Sequence, residues 1–312
     1  RKYTARRNLH PRLDLLRVPR CSGVGNARDH MPVFQNDGVE TAYDVTGDGP
    51  PVLLLHGFPQ TRALWSEIVP RLAETYTVVT ADLRGYGASS KPPADDDLAN
   101  YSFRAMGADQ FALMRHLGFD SFHLIGHDRG ARTAYRMALD APETVRSLTL
   151  MDIVPTDHLL RTFNYPVSKA YFNWSFLAQP APFPERMIGA DPDHFYETCL
   201  LGWGGATPDQ FLGIADYRAA WRDPATIEGM NNDYRAAVTI DQVYDRADRG
   251  RVLTCPALIL YGAEGAMAQV YDFEAIWAER LSNMTVKAIP GGHFFIDQNP
   301  DATAAALIEF LP

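Results

Sequence analysis

The sequence predicts an α/β fold, a mostly parallel doubly wound sheet with a helical segment inserted late in the chain. Three observations carry this. Short apolar runs recur between stretches of helical period, as strands buried on both faces alternate with crossover helices. The run Leu124-Ile-Gly-His-Asp-Arg-Gly-Ala131 joins one such strand to a helix through a sharp turn. Between Pro155 and about Thr254 the strand pattern stops, and Tyr, Trp, Phe and Pro accumulate at helical spacing.

Taken in order, Val39 to Val45 alternates loosely between Gly38 and Gly47 and reads as an early strand. Val52 to Gly57 is the first strand buried on both faces, and Thr61 to Glu74 a helix. Thr77 to Asp82 is a second buried strand, followed by a Gly/Ser/Pro loop from Leu83 to Pro93. Phe103 to Leu117 has helical period, Phe122 to Gly126 is a strand, and Gly130 to Leu139 is a helix of small and apolar residues. Val145 to Ile153 is a strand closed by Pro155. Ala257 to Gly262 and Thr285 to Ile289 complete the sheet, with helices at Val270 to Arg280 and Asp301 to Leu311. Residues 31–154 and 255–312 are therefore expected to form the core, and 155–254 a helical cap. One domain packed over the carboxyl ends of a parallel sheet builds a cleft there.

Composition narrows the function classes. Of 312 residues, 46% are hydrophobic and 21% charged, which excludes disorder, collagen, coiled coil and repeat arrays. The net charge of −9 is uneven: residues 1–30 carry +6 and the rest −15. So acidic a body is a poor nucleic-acid binder, because phosphates must be neutralised by Lys and Arg. It also argues against an anionic membrane surface. No apolar run approaches the ~18 residues of a membrane span. Cys21, Cys199 and Cys255 lie far apart without CxxC spacing, which argues against a disulfide framework or zinc site and fits thiols in a reducing cytoplasm. Residues 1–30 are Arg-rich, contain Pro11 and Pro19, lack periodicity and end just before Met31; they read as an extension with no role in the fold.

The turn at Asp128 is the most informative stretch. Gly126 and Gly130 flank Asp128 at −2 and +2, the spacing of a nucleophile elbow, where small neighbours tolerate a strained turn that exposes one side chain. A carboxylate at the centre is already ionised at neutral pH. It attacks an sp³ carbon and leaves an ester on itself, so only the second step needs a base. The plain alternative is an Asp N-cap on an ordinary helix. His293, in Pro290-Gly-Gly-His-Phe-Phe295, follows the last strand, where this architecture presents its base. His56-Gly57-Phe58-Pro59 ends the first buried strand, so the backbone N–H groups of Phe58 and Arg129 are candidates for an oxyanion hole, with His56 structural. Asp152 and Glu264 both compete to orient His293. Asp152 lies in an apolar run, where burial without a partner is costly, so it is favoured.

From about Gly49 to the C-terminus the chain resembles the α/β-hydrolase superfamily, and within it the haloacetate (fluoroacetate) dehalogenases. The motifs are His56-Gly-Phe-Pro-Gln-Thr61, Asp82-Leu-Arg-Gly-Tyr-Gly87, Gly126-His-Asp-Arg-Gly-Ala-Arg132, Leu150-Met-Asp-Ile153, Asn173-Trp-Ser-Phe-Leu-Ala-Gln-Pro180 and Asp233-Tyr-Arg235. The cap run from Trp174 to Pro180 is the most selective. The resemblance implies Asp128 as nucleophile, His293 as base and Asp152 as its partner. It implies Arg129 and Arg132 as the clamp on a substrate carboxylate, and Trp174 and Tyr234 as halide donors. Epoxide hydrolases and haloalkane dehalogenases usually carry Trp directly after the nucleophile, whereas Arg129 offers a forked cation to an acid. Arg132, three residues on, shares its helix face, although a salt bridge on that helix would explain it equally. The family's third halide donor is a His immediately before the Trp; here that position is Asn173. An amide donates a hydrogen bond but never becomes cationic. Fluoride needs the strongest stabilisation of developing charge, so removal of chloride or bromide is expected over fluoride. Trp203 is a candidate for the pocket lining.

The expected activity is hydrolytic dehalogenation of short 2-haloacids through an aspartyl ester, with no cofactor and no metal. The expected partner is the small haloacid alone, without nucleic acid or membrane; dimers are common in the family, so a homodimer is compatible with it. The alternative is an epoxide hydrolase with the same Asp-His-Asp set, using Tyr234 and one of Tyr165, Tyr171 and Tyr196 as proton donors. A non-catalytic ligand-binding member of the fold is a third reading, opposed by the intact Asp128, His293 and Asp152.

Overall fold

The computed structural model describes residues 32–203 and 205–312. The expectations for residues 1–30, and Cys21, lie outside the described residues. Eight strands form one sheet: β1 (Val33–Asn36), β2 (Val39–Thr46), β3 (Pro51–Leu55), β4 (Thr77–Ala81), β5 (Phe122–His127), β6 (Val145–Met151), β7 (Ala257–Gly262) and β8 (Met284–Ile289). Their spatial order is β1-β2-β4-β3-β5-β6-β7-β8. β1 and β2 pair antiparallel, as do β2 and β4; every later pairing is parallel. The predicted α/β sheet is therefore present, with β1 added at one edge. Asp37 (φ 49°) and Gly38 (φ 80°) form the turn that joins β1 to β2, the left-handed pair a tight hairpin demands.

The central strands are apolar on both faces because helices cover both. Along β3, Leu53 and Leu55 join one core cluster while Val52 and Leu54 join the other, as the two-residue period of a strand requires. The helix Phe103–His116 packs with the helix Arg129–Asp140 on the first side; the C-terminal helix Pro300–Phe310 contributes Leu307 to the second. The single helix expected from Thr61 to Glu74 is instead a 3₁₀ turn, Arg62–Glu67, and a short α-helix, Val69–Leu72. Pro70 lacks the amide that would continue the ladder, so the segment restarts there. The helix expected from Val270 to Arg280 is shorter, Phe273–Ala278, and a separate short helix, Ala266–Val270, precedes it.

Between β6 and β7 the described residues form helices and turns, from Thr156–Arg161 to Ile240–Ala247. Several begin on a polar cap followed by proline. Asn164, Asp191 and Asp223 accept from the backbone amides of Val167, His194 and Ala225, and Pro166, Pro192 and Pro224 stand just inside. No described helix is long and apolar enough to cross a membrane.

Candidate active site

The candidate residues converge at the carboxyl ends of β3, β5, β6 and β8, where an open parallel sheet presents its ligands. Asp128 follows β5 with φ 47° and ψ −113°, a conformation that L-residues rarely adopt. The neighbouring glycines make that turn feasible. A Cβ on Gly126 would stand 2.4 Å from the Gly130 carbonyl oxygen, and one on Gly130 would stand 2.3 Å from that of Leu55. Strand, turn and helix therefore pack too closely for any side chain at −2 or +2. The Phe58 amide donates to Asp128 Oδ2 at 3.0 Å. Arg129 is the first residue of the following helix, so its amide is among those without an intrahelical acceptor.

His293 Nδ1 lies 2.6 Å from Asp152 Oδ2, and Gly262 N–H donates to Asp152 Oδ1 at 3.0 Å. Glu264 is exposed and has no part in this contact. His293 Nε2 is buried without a partner. Two backbone contacts fix the loop: His293 N–H donates to Trp203 O at 2.8 Å, and His127 Nε2 lies 2.9 Å from His293 O. Burial pushes the His127 imidazole down to about 3, so it stays neutral and serves as a donor to that carbonyl. Burial also lowers His293, but its hydrogen bond to Asp152 and the charges of Asp152 and Asp128 prevail, and its pKa is raised above 6.5. For Asp128 the balance is opposite. Burial pushes the carboxyl up, yet the charges of His293, Arg129 and Arg132 hold it below the usual value. His56 stands apart, its Nε2 accepting from Leu83 N–H at 3.1 Å, as a structural role requires.

Asp128, Asp152 and His293 share a cavity with Arg132, Leu159, Tyr171, Asn173, Trp174, Trp203, Tyr234 and Met267. Its volume is about 10 Å³, room for about one water. Arg132 spends Nη1 on Val154 O (3.0 Å) and Thr156 Oγ1 (2.9 Å), while its Nε is buried without a partner. The alternative salt bridge on its own helix is not formed. Burial, then repulsion from Arg129, lowers its pKa to about 10, so it remains a cation at neutral pH.

Two of the candidate residues are already partly engaged. Arg129 is not free to fork a substrate carboxylate. It is fully buried and already forked onto Asp233, with Nε to Oδ2 at 2.8 Å and Nη2 to Oδ1 at 2.5 Å, and only Nη1 lacks a partner. Burial opposes its charge, but Asp233 more than compensates and raises its pKa. Asn173 is likewise partly engaged: one of its two Nδ2 hydrogens goes to Tyr234 Oη at 2.7 Å, and Oδ1 is buried and unpartnered. Trp174 packs edge-on to Tyr234 at 5.3 Å and carries the guanidinium of Arg132 at 4.8 Å over its ring.

Comparison with known proteins places the chain in a family. The α/β-hydrolase fold family matches residues 50–300. A fluoroacetate dehalogenase of Burkholderia sp is 55% identical over 86% of this chain and 88% of its own. The chain belongs to the haloacetate dehalogenase family of the α/β-hydrolase superfamily. More distant is a soluble epoxide hydrolase of Corynebacterium sp. (strain C12), 28% identical over 88% of this chain and 94% of that protein. Among solved structures, an α/β-hydrolase candidate from Nostoc sp PCC 7120 superposes with a TM-score of 0.88 at 40% identity, covering 90% of this chain and 97% of that one.

Within this hydrolase, sequence reasoning overlooked Asp233, although the Asp233-Tyr-Arg235 motif was visible. Each residue of that motif points to a different task. Asp233 anchors Arg129 and accepts from Tyr86 Oη at 2.6 Å. Tyr234 enters the cavity, and Arg235 ties the helix to Gln179 O (2.9 Å) and Glu185 (2.6 Å). Leu159 and Met267 also went unnoticed, because an apolar residue lining a pocket looks like any core residue.

Proposed function

We propose that this hydrolase removes halide from short 2-haloacids through an ester on Asp128. The observation that carries the reading is Arg132, a buried cation in the same small cavity as Asp128 and His293. A neutral substrate would leave that charge uncompensated, whereas a carboxylate satisfies it. Arg129 Nη1 supplies the second donor. With Phe58 N–H on Oδ2, Asp128 Oδ1 attacks the α-carbon in line, and halide leaves towards Trp174 and Tyr234. His293 Nε2 then takes a proton from water as the water attacks Asp128 Cγ. The oxyanion develops on Oδ2 between the amides of Phe58 and Arg129, and Asp152 holds the imidazolium that forms. Collapse releases the 2-hydroxy acid. Single turnover of chloroacetate in ¹⁸O-water tests this: label appears in Asp128, and label in the product alone overturns the covalent mechanism.

The two steps respond differently to pH. Because the pKa of His293 is raised, the neutral base is lost as pH falls through a value above 6.5, and steady-state turnover falls with it. Asp128, with its pKa lowered, stays ionised over the same range. Stopped-flow halide release at pH 6 is therefore expected to retain its first turnover while the steady rate declines. Equal loss of both phases contradicts the assignment of His293 to the second step.

Asn173 disfavours defluorination, since its amide carries no charge and one of its two Nδ2 hydrogens is engaged with Tyr234. Asn173→His is expected to raise the fluoroacetate-to-chloroacetate ratio of kcat/KM about 10-fold, the worth of one hydrogen bond to a charged group. An unchanged ratio removes the argument. Free thiols at Cys199 and Cys255 support a reducing, cytoplasmic setting. Exposed Phe183 and Met187 give a homodimer an apolar surface to bury.

A further inference from the structure

Halide displacement leaves two phenols in the cavity with protons to give. Tyr234 Oη accepts from Asn173 Nδ2, so its own O–H remains available. Tyr171 Oη is buried beside the Met267 backbone amide and has no acceptor for its own proton. The Tyr171 ring stands 5.8 Å from His293 and 5.4 Å from Trp203, and Tyr171 lines the same cavity as Asp128. The other tyrosines considered for such a role do not: Tyr196 stacks on Trp221 at 5.2 Å and Tyr165 is 77% exposed. A buried hydroxyl whose proton has no acceptor is costly to keep. A departing halide needs no proton, whereas a departing alkoxide does.

We propose that the same cavity opens short 2,3-epoxy acids, of which glycidate (oxirane-2-carboxylate) is the simplest, with Tyr171 and Tyr234 as proton donors. The inference rests on the Asp128, His293 and Arg132 reading above. Glycidate presents to Asp128 the geometry of a 2-haloacid, a carboxylate on the carbon that bears the leaving group, with one heavy atom more than chloroacetate. Asp128 Oδ1 forms a bond to C2 as the C2–O bond breaks. The oxygen, still attached to C3, takes a proton from a tyrosine and becomes a primary alcohol. Water activated by His293 then cleaves the ester at Asp128 Cγ, giving glycerate and free Asp128, and the tyrosine recovers its proton from the imidazolium through solvent. The sum is glycidate plus water to glycerate, with inversion at C2. Burial foremost, and then the nearby carboxylates, raise both phenols well above their ordinary pKa, so each carries its proton across the working pH range. A neutral epoxide such as styrene oxide leaves Arg132 uncompensated and is the poorer substrate.

The test uses the intact chain with chloroacetate, one enantiomer of glycidate, and styrene oxide in parallel. Wild-type protein is expected to give glycerate inverted at C2, with kcat/KM for styrene oxide at least about 10-fold lower. Tyr171→Phe is expected to lower kcat/KM for glycidate at least about 10-fold more than for chloroacetate. Dechlorination without glycidate opening overturns this inference alone; turnover of neither acid overturns the dehalogenase reading as well. Glycerate with C2 retained overturns attack at that carbon, and equal losses on both acids in Tyr171→Phe overturn the tyrosine's part. Should that variant fail to fold, the wild-type stereochemistry still decides.

Discussion

His293→Gln releases one halide per enzyme and then stops, leaving the protein heavier by about 58 Da for an acetate ester on Asp128. The expectation follows from the division of labour in the cavity. Asp128 needs no base to attack, because its carboxyl is held ionised; with His293 gone, Arg129 and Arg132 still oppose the effect of burial. Hydrolysis of the ester does need one. His293 Nε2 is buried and unpartnered, free to accept from water, and among the described residues Asp152 reaches the reaction through His293. Glutamine preserves a donor towards Asp152 but accepts no proton at neutral pH. Steady turnover should fall by about 10²–10⁴-fold, the usual worth of a positioned base. Quench-flow halide measurement with intact-protein mass spectrometry reads both quantities together. Continued turnover near the wild-type rate, or a burst without an adduct, contradicts the assignment.

The parts of this site that were legible in the sequence are those where geometry restricts residue choice locally. Gly126 and Gly130 had to be glycine because backbone passes within 2.4 Å of where their Cβ atoms would stand. That constraint leaves a five-residue signature around Asp128. Asp152 was legible for a related reason: a carboxylate in an apolar strand requires a partner, and the structure brings His293 Nδ1 to 2.6 Å. The edge strand β1 was not read: its four residues are too few to show a period, although Asp37-Gly38 is a hairpin signal. What could not be read was long-range commitment. Nothing near Arg129 indicates that its fork is filled by a residue 104 positions later, on a helix of the insert. Spacing tells which side chains share a face; it does not tell which have already found their counter-ion.

That pairing also sets the largest stability effect expected in the protein. Asp233→Asn should destabilise the fold by about 3–5 kcal/mol, because it strands the Arg129 guanidinium in a site from which water is excluded. Both partners are 0% exposed, so the screening that makes surface ion pairs weak does not apply. Asparagine keeps an acceptor for Arg129 and for Tyr86 and nearly the same volume, so lost packing is a minor part of the change. The loss should appear as a fall in Tm of roughly 5–15 °C. Replacing both partners separates the explanations. Arg129→Met with Asp233→Leu fills the space with apolar atoms and leaves no buried charge, so it should recover much of the stability lost by the single variant. It should not recover turnover, since Nη1 of Arg129 and the anchor of the Tyr234 helix are both gone. Calorimetry on the single and double variants, with kcat/KM for chloroacetate, distinguishes the cases. A double variant as unstable as Asp233→Asn would mean that the pair itself stabilises the fold. A single variant within 1 kcal/mol of wild type would mean that another acid close to Arg129 has taken over the counter-charge. Asp241 is in position to do so: burial first, and then repulsion from Asp233, holds its carboxyl well above the usual range, and Arg129 draws it back down. Removing the charge of Asp233 therefore favours ionisation of Asp241, and adding Asp241→Asn to the single variant would expose the full cost.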